Sequence, residues 1–259
     1  MSTIERARKL MGKGLKVLMP RAQAPDPADQ EAWNDAVLLW SQLFEPFSPL
    51  VEGADVLELG CGDGRLAGAL AASGQVRSVV GVDRLAWWRG EGEGVAWRPE
   101  TFSGLELHAD LLRVQSLDEG AFDLILSREF DGVVPLEGLE DMLAWLYGLL
   151  RPGGEMIARF RCADPQLRPD GPGYGLMTPT AWTALVLGAG FEIAETRRFW
   201  RGAEDQRRLS SLLPDASDEE RMTAELHLRL VRPWESWELD ALRPFGDRRR
   251  TRKARRNRD

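Results

Sequence analysis

Between positions 56 and 65 the chain reads VLELGCGDGR, an apolar run broken by Glu58 and followed by Gly60, Gly62 and Gly64. Glycine at alternating positions lets a backbone turn tightly and approach a ligand without a Cβ in the way. Asp83 follows, 21 residues beyond Gly62, and an acid about 20 residues past such a turn is placed to accept hydrogen bonds from ribose hydroxyls. A nucleoside ligand is therefore indicated. The dinucleotide pattern G-x-G-x-x-G leaves a helix N-terminus free for pyrophosphate. Here Asp63 stands among the glycines, where it would repel a phosphate and attract an ammonium.

These residues need a strand to end and a helix to begin at the turn, and the flanking sequence supplies both. From Val56 the signals alternate: strand VLELG, helix RLAGALAASG closed by Gly74, strand VVGVD, strand LELHAD, strand FDLILS, helix GLEDMLAWLYGLL, a turn at RPGG and strand EMIARF. Thr178-Pro179 opens a further helix carrying Trp182, Leu185 and Val186, and segments 191–199 and 225–231 read as two closing strands. Apolar strands separated by helix-length segments form βαβ units, which predicts an α/β fold: a Rossmann-like, doubly wound sheet, mostly parallel with an antiparallel last strand.

Upstream, Asp26-Pro27 begins a helix carrying Trp33, Val37, Trp40 and Phe44. Before it, apolar residues at helical spacing are interspersed with Glu5, Arg6, Arg8, Lys9, Lys13 and Lys16, which is unlike a signal peptide and sets the expectation of a cytoplasmic protein. Such a basic amphipathic segment either covers its own core or touches anionic lipid. The expected division is a helical extension over 1–50, the nucleoside-binding domain over 51–233 and a C-terminal extension over 234–259.

The formal charge of −7 hides an asymmetry, because Arg248, Arg249, Arg250, Arg252, Lys253, Arg255, Arg256 and Arg258 crowd the C-terminus. That block repels itself and has nothing apolar to pack, so it is expected to be a disordered tail on an acidic body. Two widely separated cysteines, Cys61 and Cys162, and two histidines, His108 and His227, offer neither a disulfide framework nor a metal centre.

The segments VLELGCGDGR, VVGVDR, ELHADLL, FDLILSRE and LLRPGG, in this order and spacing, resemble the class I S-adenosylmethionine-dependent methyltransferases, and in particular their small-molecule, type 11-like group. The resemblance covers roughly residues 50 to 200 plus the last strand. It implies S-adenosyl-L-methionine as cofactor. Gly60 and Gly62 would line its methionine part, Glu58 and Asp63 its ammonium, Asp83 the ribose, with Arg84 beside it, and Asp110 the adenine amino group next to the Leu111 backbone. Ser127, ending the fourth strand, would face the cofactor across the switch point. Taken singly, Glu58 could instead be a strand-end charge, Asp110 a turn former and Asp63 a helix N-cap.

A sulfonium methyl is already activated, so the protein must chiefly align the acceptor and exclude water. An acceptor hydroxyl or amine must also lose a proton, and Glu129 and Asp131 are the acid/base candidates after the fourth strand. Neither the N-P-P-Y tetrapeptide of amino-group nucleic-acid methylases nor a Pro-Cys nucleophile occurs. The expectation is methyl transfer to a small-molecule O, N or C acceptor. The alternatives are an RNA, ribosome or protein methylase that uses the basic tail, or a regulatory protein that binds the cofactor without catalysis.

Overall fold

The structure, a computed structural model, describes residues 52–83, 104–108, 115–128, 138–163, 177–204 and 215–234, together with Arg207, Leu209 and Leu213. The expected helices upstream of residue 52 and the basic tail lie outside these residues.

Seven strands form one sheet: β1 (Asp55–Leu59), β2 (Ser78–Val82), β3 (Leu105–His108), β4 (Phe122–Ser127), β5 (Leu150–Arg161), β6 (Glu192–Trp200) and β7 (Thr223–Val231). Their spatial order is β3-β2-β1-β4-β5-β7-β6. β1 pairs in parallel with β2 and β4, β2 with β3, and β4 with β5. β7 runs antiparallel to both β5 and β6. The last strand in sequence therefore slots between its two predecessors. The order reverses at β1, which has β2 on one side and β4 on the other, so the carboxyl ends of β1 and β4 form the switch point where open α/β sheets bind ligands.

Helix α1 (Arg65–Ala72) packs against β2 and β3. On the opposite face, α2 (Leu139–Leu149) and α3 (Pro179–Gly188) pack against each other. The alternation of β1 explains the split. Leu57 and Leu59 join Ile125, Leu143, Leu146, Trp182 and Val186 in the main core, so Val56 and Glu58 point the other way, toward α1. The Trp182 side chain is fully buried, and its Nε1 donates to the Arg161 carbonyl at 2.9 Å. Thr178 caps α3 by accepting from the Ala181 amide at 3.2 Å, with Pro179 opening the helix as the sequence predicts.

Two expectations need correction. The RPGG segment is not a free turn but a bulge within β5, which pairs with β4 at Leu150 opposite Phe122 and resumes at Glu155 opposite Leu124. The Gly153 amide donates to the Arg232 carbonyl at 2.8 Å, and the Arg232 amide to the Gly154 carbonyl at 3.0 Å. His227 alternates with Leu226 and Leu228, a pattern that predicts an outward-facing residue, yet it is buried, because Phe199 lies over its ring at 4.3 Å. The segment 201–223 ends in a short helix α4 (Asp218–Met222) that begins with a Ser217/Glu220 capping box. Arg201 at its start is pinned to the carbonyls of Cys162 and Thr223 at 3.0 and 2.6 Å.

Candidate functional site: the glycine turn at the sheet's switch point

β1 ends at Leu59, and the chain turns at once. Gly60, Gly62 and Gly64 have φ of 78°, 58° and 78°, values at which any L side chain is strained. The turn is held to β2, with the Gly60 amide donating to the Val82 carbonyl at 2.7 Å and Gly62 to Asp83 Oδ2 at 2.9 Å. The glycines serve different ends. A Cβ on Gly64 would meet Leu107 Cδ1 at 2.9 Å, whereas one on Gly62 would have nothing within 4 Å. Gly64 is therefore needed for packing, and Gly62 opens onto free space.

Asp83 is buried at the end of β2, and its own amide donates to the His108 carbonyl at 3.0 Å. A carboxylate offers about four acceptor positions, so holding the turn does not exhaust its capacity. Asp63 is engaged by its neighbour Arg65. Arg65 Nε donates to its two oxygens at 2.9 and 2.8 Å, and the Arg65 amide to Oδ1 at 3.3 Å. Burial works against the Asp63 charge, but the Arg65 hydrogen bonds prevail and hold its pKa below the ordinary value. The N-cap of α1 is Gly64 and has no side-chain cap.

Glu58, the penultimate residue of β1, is 4% exposed. Its Oε2 is buried without a hydrogen-bond partner, and so is Oγ of Ser127 at the end of β4. Burial raises the Glu58 pKa to about 8, against the opposing pull of Arg128 and the Ala67 amide. Buried polar atoms are hydrogen-bonded in the great majority of cases, and these two stand on adjacent strands at the switch point. Cys61, inside the turn, is buried and its thiol is pushed far up by burial and by nearby Glu58 and Asp83; it is no nucleophile.

The structure thus brings Glu58, Gly60, Gly62, Asp63, Asp83 and Ser127 together around one strand end. Arg84, Asp110, Leu111, Glu129 and Asp131 lie outside the described residues. The sequence reading missed two cations: Arg65, which engages Asp63, and Arg128, whose charge reaches Glu58. Both stood in quoted motifs, Arg65 two positions from its partner.

Positive-φ glycines at the turn, an acid at the next strand end and a buried carboxylate oxygen without a hydrogen-bond partner stand together at the switch point. The fold that carries them is that of the class I methyltransferases. A family model described as a methyltransferase domain matches residues 32–196, and the chain belongs to that family. An uncharacterized methyltransferase of Mycobacterium tuberculosis is 30% identical over 161 residues, covering 61% of this chain and 72% of the relative; its Mycobacterium bovis counterpart matches equally. Among solved structures, phosphoethanolamine N-methyltransferase 2 of Haemonchus contortus superposes with a TM-score of 0.55 at 16% identity, over 86% of this chain and 57% of the other. The cyclase SpnF does so with 0.56 at 15% identity, over 88% and 93%. These two likenesses establish the fold alone.

Proposed function

We propose that the chain transfers a methyl group from S-adenosylmethionine to a small-molecule O, N or C acceptor. The observation that carries the cofactor part is the Gly62–Asp83 clasp together with the buried Glu58 Oε2 that lacks a hydrogen-bond partner. When bound, the cofactor supplies a methyl group activated by a sulfonium. The chain's part is to hold it: Gly60 and Gly62 along the methionine end, Glu58 and Asp63 near the cationic groups, Asp83 and Arg84 at the ribose, Asp110 and Leu111 at the adenine, and Ser127 facing it from β4.

A groove of about 600 Å³ between α2 and α3, lined by Leu139, Glu140, Asp141, Met177, Ala181, Ala184 and Leu185, is the candidate for the acceptor. Its size is that of a small-ligand site, and Met177 is tied to the end of β5 through the Ala163 amide at 2.8 Å. Glu129 and Asp131 are the groups that would take a proton from an acceptor hydroxyl or amine. In this reading residues 1–50 form a helical extension, 51–233 the catalytic domain and 234–259 a basic extension.

Calorimetric titration with S-adenosylmethionine, S-adenosylhomocysteine and NADH tests the cofactor, with Asp83→Ala as control. Selective binding of the first two, weakened in the variant, supports the reading, and NADH binding alone defeats it. The arginine-rich tail favours a second reading, a methylase of RNA or ribosomes, in which cationic residues add salt-dependent affinity. Removing residues 247–259 separates the two: methyl transfer to the true acceptor is unchanged under the first and lost under the second. A protein that binds the cofactor and transfers no methyl group to any acceptor class would instead be a regulatory one.

A further inference from the structure

Strand β6 closes one edge of the sheet, with β7 on its only paired side. The opposite edge, β3, has four residues, whereas β6 has nine. Which of its backbone groups are left over follows from the bonds around β7. The Cys162 amide donates to the Ala224 carbonyl at 2.8 Å, and successive residues of an antiparallel strand turn their polar groups to alternate neighbours. Ala224, Leu226 and Leu228 therefore bond toward β5, and Glu225, His227 and Arg229 toward β6. Their partners on β6 are Phe199, Arg197 and Glu195. The amides and carbonyls of Thr196 and Arg198 consequently point away from the sheet, and both residues are exposed.

A bare edge of this length is a template for another strand, and proteins that keep such an edge single blunt it with charge, proline or bulges. β6 has a bulge at Ala194 and no proline. Its charges are not of one sign: Glu195 and Arg197, paired within the strand at 2.8 Å, stand on either side of Thr196. Beyond them Phe199 and Trp200 are 45% and 58% exposed, so the edge continues into aromatic surface.

A second copy of this strand, laid antiparallel across a two-fold axis, can bond only where outward residues meet outward residues. The axis must then pass through a residue, not between two. Through Glu195, Arg197 or Arg198 it sets two like charges opposite each other, which is destabilising. Through Thr196 it sets Glu195 opposite the partner's Arg197, twice over by symmetry, and Phe199 opposite the partner's Ile193. The two Thr196 residues then exchange both backbone hydrogen bonds. Among the axes through 195–198 this register alone matches charge with charge. We propose that β6 is a self-recognition edge, on which a second copy of this chain pairs β6 to β6 about an axis through Thr196, joining the two sheets into one.

The test is sedimentation of the full chain over about a hundredfold range of concentration. A monomer–dimer equilibrium without larger species is expected, because a two-fold contact closes on itself. Glu195→Arg or Arg197→Glu alone sets like charges opposite each other and should weaken the dimer at least about tenfold. The two variants mixed have opposite signs at both pairs, so they should dimerise with each other. A monomer at every concentration overturns the inference and leaves the edge to a strand of some other protein. A dimer indifferent to both reversals, or no recovery on mixing, overturns it by placing the contact elsewhere. Should a reversal not fold, amide exchange in the wild type decides. The Thr196 amide must gain protection as concentration rises, while those of Glu195 and Arg197, bonded to β7, stay protected throughout; Thr196 exchange that ignores concentration refutes the proposal.

Discussion

Asp83 Oδ2 accepts the backbone N–H of Gly62 at 2.9 Å, across 21 residues of sequence. The acid that the spacing assigns to ribose recognition is thus also the clasp of the glycine turn, so in the proposed function one side chain would couple the shape of the loop to the ligand. Asp83→Ala leaves the Gly62 amide without this acceptor, which costs about 1–3 kcal/mol of stability, readable in a urea titration. Affinity for S-adenosylmethionine should fall together with it. Asp83→Asn keeps a neutral acceptor for Gly62 and should recover most of the stability but not the affinity. Equal stability of wild type and Asp83→Ala would show that the clasp does not hold the turn.

Gly62 and Gly64 make a paired comparison. Alanine at either position takes on left-handed strain of roughly 1–2 kcal/mol, since φ is 58° and 78°. At Gly64 the new Cβ also displaces Leu107, so Gly64→Ala should be the less stable of the two by thermal melting. At Gly62 it projects into free space, so Gly62→Ala should lose more cofactor affinity than its small stability change explains. The reverse ranking would mean that the open side of the turn is not where the ligand lies.

The same residues show what the sequence carried and what it did not. Strand and helix identities along β1 to α3 follow from local periodicity and end signals, and these were legible at Gly74, Thr178 and Pro179. The position of Asp83 at the end of the next strand was also legible, because its spacing is imposed by the βαβ unit itself, whereas its hydrogen bond to the Gly62 amide was not. The capture of Asp63 by Arg65 is a competition between an i, i+2 partner and a ligand, which residue types alone cannot decide. Insertion of β7 between β5 and β6 is a choice of pairing, and periodicity is blind to pairing. His227 obeys its alternation and is still buried, because Phe199 on β6 covers the face that the pattern marks as outward.

Gly153, in the segment expected to be a turn, supports a close contact. Its φ is 77°, and a Cβ there would come within 2.6 Å of Trp234 Nε1. Gly153→Ala should therefore cost about 2 kcal/mol, strain plus displacement of the indole. Trp234→Ala removes the obstacle, so the two changes together should cost less than the sum of each alone. A double-mutant cycle with additive energies would exclude this contact.

At the opposite end of the sheet from the glycine turn, Asp55 gathers the starts of four strands. Arg77 Nε donates to its Oδ1 at 2.8 Å, Ser78 Oγ to the same oxygen at 2.7 Å, and Arg151 to Oδ2 at 2.8 Å. Arg151 also pairs with Asp123 at 2.6 Å, while Asp123 accepts the Asp55 amide at 2.9 Å. The Arg77 hydrogen bonds hold the Asp55 carboxyl far below its ordinary value of 3.8, with Ser78 and Arg151 assisting and burial opposing. Because the folded-state pKa is depressed, the unfolded chain takes up the proton first as pH falls. The stabilisation is therefore fully present well above pH 3.8 and drains away below it. Thermal melts should show Asp55→Asn less stable than the wild type at pH 7, with the gap narrowing progressively once the pH drops below about 4. A gap that stays constant down to pH 2 would mean that the unfolded chain holds Asp55 as tightly ionised as the folded one, and that these arginines contribute nothing through its charge.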